Sequence, residues 1–352
     1  MPVVVRLRPE WKFTVFLDQQ QDDTIEAPNL EWVTAHTGRS VNEGASADSA
    51  RTAADLLRMS QAVNRVKLDL LFFPTVYSYF PVMRRIPVVL GIHDTMADRY
   101  PQWAFAGKRQ ELLWRAKVRM GLAQASRIVT VSDHSRRNIA EHFSIDAERI
   151  AVISEAAAPV FVAGQETEEP FLLAVGGISP NKNLGVLIRG MTDWRATRPA
   201  LRLILVGDYS KDGFRNCYGE LRALAEAEGV ADFVAFAGFV PDAELAQLYR
   251  RCIAFVMPSL EEGFGLPLVE AMACGCACIV SRGHALEEVG GDAVVLADPE
   301  SMTDWHGAVE QVLEDPEFRS ELRQKALRRA ADFTWARGAQ TLVQVFEDLL
   351  FA

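Results

Sequence analysis

Two glutamates frame a short glycine-containing loop in the C-terminal half of the chain. Glu262 and Glu270 lie eight positions apart (270 − 262 = 8) in the segment PSLEEGFGLPLVEAMACG, residues 258–275. A carboxylate accepts hydrogen bonds from neighbouring hydroxyls, so one glutamate can hold a ribose and the other a sugar. Glu270 alone would be ordinary, since a helix dipole favours an acidic residue in the first turns. Its combination with the loop favours a functional site.

The loop between the glutamates has the residue types of an anion site. A buried strand is predicted before it, and a helix is predicted from about Leu266 or Pro267 because proline suits a first helical turn. Gly263 and Gly265, on either side of Phe264, let the backbone turn sharply and approach a ligand closely. The unpaired amides and the positive dipole end of the helix would then bind a diphosphate.

A lysine follows an earlier predicted strand in a similar loop. Lys182 comes after the strand Phe171–Val175 and after Gly177, in the segment VGGISPNKNL. A cation there can neutralise a diphosphate and stabilise the charge that grows as a glycosidic bond breaks. We expect Asn181 or Asn183 to cap the next helix. Without this context, Lys182 would be read as a solvated surface residue.

In the N-terminal half, His93 and Asp94 directly follow the predicted strand Pro87–Ile92. In open α/β sheets the ligand binds at the carboxyl ends of the strands, which places both side chains near a ligand. A lone histidine is more often a structural residue, so these two positions are candidates on the strength of their place in the sheet.

A second polar cluster follows the predicted strand Arg127–Val131. We expect Ser132 or Ser135 to cap the next helix near a cleft. Ser132, Asp133 and His134 have the side chains of a hydrolytic triad, but adjacent residues cannot adopt that geometry, and we reject this interpretation.

Composition limits the class of protein. The chain has 352 residues, 49% hydrophobic and 24% charged, as in ordinary globular proteins, and its length favours two domains. The formal net charge of −10 repels nucleic acid and gives no general attraction to anionic lipid. The apolar stretch that Arg6 interrupts is only three residues long, and no run is long enough to cross a bilayer, so we predict a cytoplasmic protein without a signal peptide.

Three of the five cysteines, Cys274, Cys276 and Cys278, alternate along one run. Metal motifs usually separate a thiolate pair by more residues, so we interpret these as small apolar residues entering a buried strand. No metal or cofactor is expected.

Short apolar runs alternate with helical patterns, which predicts βαβ units and parallel sheets. Twelve strands are too many for one small open sheet and favour two. The predicted strands are Phe13–Leu17, Leu30–Val33, Asp69–Phe73, Pro87–Ile92, Arg127–Val131, Ile150–Ile153, Phe171–Val175, Leu201–Val206, Phe233–Phe236, Ile253–Met257, Cys276–Val280 and Ala293–Leu296.

The predicted fold class is α/β, with two doubly wound Rossmann-like domains facing across a cleft. Residues 155–170 show no sustained period and end in an acidic cluster, which indicates a linker. We therefore expect an N-terminal α/β domain over residues 1–160, a C-terminal α/β domain over 165–335 and a tail helix over 336–352 that packs across both.

The segment EEGFGLPLVEAMACG resembles the signature of the retaining glycosyltransferases of family 4, which have the GT-B fold. VGGISPNKNL, LVGDYSKD and AGFVPDAEL in the C-terminal half are similar to the family's next segments, and VVLGIHDTMADRYP and RIVTVSDHSRRNI in the N-terminal half resemble its His-Asp loop and a cleft-side helix start. The resemblance covers nearly the whole chain and runs closest to mannosyltransferase-like members of bacterial polysaccharide assembly.

The resemblance implies that residues 1–160 form the acceptor side and that residues 165–335 bind the nucleotide sugar. It also implies a role for each candidate residue. Glu270 would hold the donor ribose, Glu262 would lie near the transferred sugar, and His93 would face that sugar across the cleft. The diphosphate would contact Lys182 and the backbone amides between the glutamates. Gly177 and the backbone around Val240 complete the implied donor site, with Val240 against the base.

Two departures from the family pattern are visible. Gly177 and Asn181 stand where the family often has a basic residue, which leaves Lys182 with fewer cationic neighbours. The chain also begins at what resembles the end of the family's first helix, so the N-terminal domain is expected to lack its first βα unit.

The resulting prediction is a metal-independent, retaining hexosyltransferase. It would move a sugar from a nucleoside-diphosphate donor to a glycan or lipid-linked glycan, and it leaves peripheral contact with the inner membrane face open. The alternatives are a catalytically degenerate homologue that acts as a binding partner and a nucleotide-sugar epimerase of the same fold.

Overall fold

The structure is a computed structural model that describes residues 2–19, 25–37, 53–105, 107–209 and 215–351. The chain divides into two compact units. The first consists of residues 1–154 together with 335–352, and the second of residues 155–334. The division falls at the start of the predicted linker.

The first unit contains two parallel sheets. Strands β1 (Phe13–Leu17) and β2 (Leu30–Thr34) form a pair, and β3 (Leu71–Phe73), β4 (Val88–Gly91), β5 (Arg127–Thr130) and β6 (Ile150–Val152) form a four-stranded sheet in that order. Among the described residues, no hydrogen-bonded ladder joins β1 to β3. The helices are α1 (Pro2–Leu7), α2 (Ala53–Arg65), α3 (Met96–Arg99), α4 (Pro101–Ala104), α5 (Lys108–Gln124), α6 (Asp133–Phe143) and, after the second unit, α14 (Trp335–Leu350).

The four-stranded sheet is covered on both faces. Side chains of a strand alternate between faces, so Leu90 packs into one apolar cluster with Ile128, while Val89 packs into another. Helix α14 supplies Leu342 and Phe346 to the second cluster. Its burial of an apolar stripe explains why the tail belongs to this unit. Packing of the tail across both units stays a prediction.

The second unit has one six-stranded parallel sheet. Its strands are β7 (Glu169–Val175), β8 (Arg202–Val206), β9 (Val234–Gly238), β10 (Cys252–Met257), β11 (Cys278–Ser281) and β12 (Val295–Ala297), in the order β12-β11-β10-β7-β8-β9. The helices are α7 (Gly185–Thr197), α8 (Tyr218–Ala227), α9 (Asp242–Arg251), α10 (Leu266–Ala273), α11 (Ala285–Gly290), α12 (Met302–Glu314) and α13 (Pro316–Ala330).

The strand order reverses between β7 and β10. The chain builds outward from β7 through β8 to β9, then returns to the other side of β7 with β10 and continues to β12. The loops that follow β7 and β10 therefore leave the same edge of the sheet side by side. Such a switch point is where open α/β sheets bind ligands.

All twelve predicted strands are present, and their bounds differ from the predictions by a few residues. The largest change near the candidate site is in β11, which begins at Cys278, whereas Cys276 lies in the connection between α10 and β11. Its thiol donates to the backbone oxygen of Tyr249 at 2.6 Å. All five cysteines are buried free thiols.

In the parts of the chain that the structure describes, no helix has the length and apolar character needed to cross a membrane.

Candidate active site

The two loops at the switch point are joined directly. The backbone N–H of Leu260, after β10, donates to the oxygen of Asn181, after β7, at 2.7 Å. A small cavity lies between the loops at the carboxyl ends of these strands. Its lining includes Gly176, Gly177, Lys182, Met257, Pro258 and Ser259.

Lys182 and Glu262 meet at this cavity although 80 positions separate them in the chain. The lysine ammonium forms an ion pair with Oε1 of Glu262, and both side chains are mostly buried. The hydroxyl of Ser259 donates to the same carboxylate oxygen at 2.7 Å. The site thus brings together one cation, one carboxylate and one hydroxyl.

Backbone geometry fixes the position of the lysine. Gly176 has a φ of +143°, and a Cβ on it would lie 3.2 Å from Cε of Lys182 and 3.5 Å from Nζ. The end of the lysine side chain therefore lies against bare backbone, where a larger residue would displace it.

The predicted asparagine cap of α7 is wrong: Asn183 is in the left-handed region and donates instead to the oxygen of Pro299 at 2.8 Å. Asn181 instead accepts from the hydroxyl of Ser179 at 2.7 Å.

Ser259 and His284 are site residues that the sequence prediction missed. His284 is buried before α11, and its Nδ1 accepts from the backbone N–H of Leu286 at 3.5 Å. The proton then lies on Nε2, which donates to the backbone oxygen of Ser259 at 2.9 Å. This bond holds the residue that positions Glu262. The location of Ser259 just after a buried strand could have signalled it, whereas nothing in the local sequence marks His284.

Helix α10 begins at Leu266, as predicted, and its N-terminus is preceded by the glycine loop. Gly265 has a φ of +94°, which requires glycine. The Phe264 ring is buried in an edge-to-face contact with Phe333, with ring centroids 5.7 Å apart. Within the described residues, the amides of Phe264, Gly265 and Leu266 donate to no protein acceptor. Three free donors at a helix N-terminus form a suitable anion site.

Glu270 lies in α10 beside a buried tyrosine. The hydroxyl of Tyr249, in α9, donates to its Oε2 at 3.2 Å. Burial raises the pKa of Glu270 to about 7; the Tyr249 hydrogen bond lowers it, and the negative charges of Asp242 and Glu155 raise it further. The carboxyl group is thus poised between its neutral and ionised forms near neutral pH.

The remaining predicted donor residue lies farther along the same edge. Val240 follows β9, two strands from β7 in the sheet, and is half-buried beside the exposed Phe239. The preceding Gly238 has a φ of +69° and lies next to Tyr209. Among the residues that the structure describes, no hydrogen bond connects Val240 or Glu270 to the Lys182–Glu262 pair.

In the first unit, His93 and Asp94 follow β4, as predicted. The Nε2 of His93 is 3.1 Å from the backbone oxygen of Pro74, and Asp94 accepts from the N–H of Met96 at 2.8 Å. The backbone of Pro74 lies close to Gly91, because a Cβ on Gly91 would be only 2.0 Å from the Pro74 oxygen.

Ser132 caps α6 by accepting from the N–H of Ser135 at 3.0 Å, which confirms one of the two predicted caps. His134 pairs with Asn138 at 2.8 Å, and Asp133 forms an ion pair with Arg136. The three adjacent polar side chains thus have separate partners, which agrees with the rejection of a triad.

The described residues contain no group of three or more histidine, cysteine, aspartate or glutamate side chains placed to hold a metal ion.

Comparison with known proteins gives two family matches that divide the chain as its units do. The family described as Glycosyltransferase Family 4 matches residues 7–156, and the family described as Glycosyl transferases group 1 matches residues 160–329. The O-antigen chain mannosyltransferase B of Escherichia coli is 33% identical over 228 residues, which are 61% of this chain and 58% of that protein. The match therefore spans less than two thirds of that relative.

Solved structures share the fold at low sequence identity. The sucrose-phosphate synthase of Thermosynechococcus elongatus has a TM-score of 0.76 at 18% identity, covering 99% of this chain and 92% of its own. HepE of Anabaena, solved with UDP and glucose, has a TM-score of 0.71 at 20% identity, covering 84% and 82%. The two family matches, one over each unit, identify both halves of the chain as glycosyltransferase domains, and the chain has the GT-B fold.

Proposed function

We propose that this protein transfers a sugar, with retention of the anomeric configuration and without a metal ion, from a nucleoside diphosphate to a glycan or lipid-linked glycan. The observation that carries the proposal is the convergence of Lys182, Glu262 and the α10 N-terminus around one sheet edge. The mannosyltransferase relative and the UDP complex of HepE support a nucleotide-sugar donor.

Different protein groups would bind the diphosphate, the ribose and the base of the donor. The diphosphate would accept hydrogen bonds from the free amides of Phe264–Leu266 and from Lys182. Glu270 would accept from the ribose hydroxyls, and the backbone near Val240 would contact the base. Each assignment uses the chemistry of the group: donors face phosphate oxygens, and a carboxylate faces hydroxyls.

Bond cleavage places negative charge on the leaving diphosphate. Lys182 and the helix N-terminus are already oriented in the free protein, so they stabilise this charge with little reorganisation. Glu262 forms an ion pair with Lys182 and would turn to the hydroxyls of the transferred sugar when phosphate takes its place beside the lysine. His93 and Asp94 are proposed to serve the transfer step from the first unit.

The test is calorimetric titration of the full chain with UDP, GDP and ADP in excess EDTA, followed by hydrolysis assays with the matching sugar donors. Binding and slow donor hydrolysis without a divalent ion are expected. Binding that requires magnesium or manganese would refute the metal-free site. Binding without hydrolysis or transfer would indicate a degenerate homologue, and conversion of the donor sugar without its release would indicate an epimerase.

The configuration of the product tests retention separately. NMR of the first product formed from an α-linked donor should show an α-glycoside, and a β-glycoside would contradict the proposal.

A further inference from the structure

Tyr249, in the last turn of α9, is a fully buried residue beside the candidate donor site. Its ring has edge-to-face contacts with Phe161 and Phe255, with ring centroids 5.9 Å and 5.6 Å apart. Its hydroxyl donates to Oε2 of Glu270 at 3.2 Å. A side chain packed between two rings is held in one position, so it can fix the group that it contacts. Tyr249 thus gives Glu270 a donor of fixed position.

Two cysteine thiols contact the backbone of the same tyrosine. The Cys276 thiol donates to the Tyr249 oxygen at 2.6 Å, and the Cys252 thiol donates to that oxygen at 3.2 Å. The two sulfur atoms are 3.7 Å apart. Cys252 is the first residue of β10, whereas Cys276 lies in the connection between α10 and β11. We call Tyr249 and these two thiols the thiol–tyrosine network.

The way in which α9 ends explains why this carbonyl group needs a side-chain donor. The last four carbonyl groups of a helix have no partner within the helix, and a left-handed glycine often brings backbone donors to them. Helix α9 has no such glycine, because it ends at Arg251 and passes directly into β10 at Cys252, which is extended. The N–H of Cys252 donates to the oxygen of Leu248. The next carbonyl group, that of Tyr249, receives the two thiols.

The donors of the network keep their protons at neutral pH. Burial, together with the negative charge of Glu270, raises the pKa of the Tyr249 hydroxyl well above its usual range. Burial and the neighbouring Cys252 thiol raise the pKa of the Cys276 thiol well above its usual range. A thiolate could not donate to a carbonyl group, whereas a thiol can. The same burial that makes these cysteines unreactive therefore keeps them as donors.

We propose that Cys252 and Cys276 are positioning residues, which hold Tyr249 so that its hydroxyl fixes the carboxylate of Glu270. An alanine at either position would also be a small apolar residue, but it would remove a donor from the Tyr249 oxygen. A buried backbone carbonyl group without a donor is costly, and the end of α9 would move to find another partner. The thiols therefore have a function beyond filling space.

The proposal rests on the proposed function for one step, the contact of Glu270 with the donor ribose. The thiol–tyrosine network itself involves no ligand, and its effect on Glu270 is measured in the free protein. Besides Tyr249, the titratable groups whose charge acts on Glu270 are Asp242, Glu155 and Cys274. All three stay unchanged in the variants below, so a shift in the titration of Glu270 reports on the network.

The experiment is a carboxyl-carbon NMR titration of the full chain without ligand, with the glutamate side-chain carboxyl carbon labelled. The signal of Glu270 is assigned by its absence from the spectrum of Glu270→Gln. Tyr249→Phe should move the midpoint of the Glu270 titration to higher pH, because the tyrosine hydrogen bond lowers the pKa of this carboxyl group. Cys252→Ala with Cys276→Ala should move the midpoint in the same direction by a smaller amount.

A conservative variant separates hydrogen bonding from packing. Cys252→Ser with Cys276→Ser keeps a donor at each position and should keep the midpoint of wild type. The matched control is Cys217→Ala, which removes a buried thiol beside α8 and should leave the midpoint unchanged. Calorimetric titration with UDP and GDP at pH 7 adds the donor site. Affinity should fall about tenfold in Tyr249→Phe, since a hydrogen bond to a charged group is lost, and less in the double alanine variant.

Circular dichroism shows whether each variant is folded, and the single variant Cys276→Ala replaces the double alanine variant if the latter does not fold. A wild-type midpoint in the alanine variant would overturn the proposal. A larger shift in the double serine variant than in the double alanine variant would also overturn it, because the thiols would then act only as apolar packing. Shifted midpoints with unchanged nucleotide affinity would support the network and would show instead that Glu270 does not contact the ribose, which is a failure of the proposed function.

Discussion

Replacing Glu270 with glutamine should make the unliganded protein more stable than wild type at pH 8 and nearly equal to it at pH 4.5. Burial raises the pKa of this carboxyl group from its ordinary value of 4.5 to about 7. The folded state therefore holds the proton more tightly than the unfolded chain between these two values. Since the unfolded chain binds fewer protons in this window, the free energy of unfolding of the wild type falls as pH rises through it. Glutamine is neutral at every pH, so the free energy of unfolding of the variant does not fall for this reason.

The size of the effect follows from the two pKa values. Each tenfold change in proton affinity is worth about 1.4 kcal/mol, so the difference between 4.5 and about 7 sets an upper limit of about 3 kcal/mol. Glu270 is only partly buried, and solvent screening reduces the expected difference to about 1–2 kcal/mol. For a unit of this size, that corresponds to roughly 2–8 °C in melting temperature.

The assay is calorimetric unfolding of both proteins at half-unit steps from pH 4.5 to 8. Glu321→Gln, at an exposed site on α13, is the matched control and should show no such pH dependence relative to wild type. A difference in melting temperature between the two proteins that is constant across the pH series would refute the reasoning.

Ligand binding gives a second readout, because ribose hydroxyls donate better to an ionised carboxylate. Wild-type affinity for nucleoside diphosphate should rise more steeply from pH 6 to 8 than that of Glu270→Gln, in which only the ligand's own terminal phosphate changes charge.

Three further substitutions test the anion site. Lys182→Ala should weaken nucleoside diphosphate binding by about 2 kcal/mol and leave nucleoside binding almost unchanged, and equal losses in calorimetry would contradict a phosphate contact. Glu262→Gln should strengthen nucleoside diphosphate binding because it frees Lys182 and removes a nearby negative charge, while it should lower transfer; weaker binding would exclude this arrangement. Gly265→Ala should lower both stability and nucleotide affinity, since its Cβ would lie 2.2 Å from Cδ2 of Leu286 at a φ of +94°. Wild-type affinity in this variant would show that the loop backbone does not hold phosphate.

Much of the fold follows from hydrophobic patterning. Buried parallel strands read as continuous apolar runs, and Val88–Leu90 is such a run because Val89 and Leu90 face different covered sides of the sheet. Helix α10 was predicted from proline and glycine at its start, and it begins at Leu266. The start of a helix can be predicted in this way because it depends on residues within a few positions of one another in the chain.

The residues that the sequence analysis misplaced or missed depend on contacts between distant parts of the chain. Asn183 is a good capping residue by type, yet its amide reaches the oxygen of Pro299, 116 positions away. Tyr249 and His284 act on Glu270 and Ser259 from other elements, and neither has a local motif. Their roles depend on packing between elements that periodicity does not specify. Side chains that support a site from a distance are therefore the part that sequence reasoning missed.

The arrangement of charge explains how an acidic protein can present an anion site. The chain carries a net charge of −10, and its general field opposes a diphosphate. At the switch point, however, the nearest groups are the Lys182 ammonium and three amides at a helix N-terminus. Glu262 neutralises the ammonium, and the Ser259 hydroxyl holds that carboxylate in place. Because a bound diphosphate would supply the negative charge that Glu262 now provides, the lysine would stay paired when the proposed donor binds. Exchange of one anionic partner for another costs less than removing the only partner of a cation, and it would leave Glu262 available to the hydroxyls of the sugar in the proposed donor.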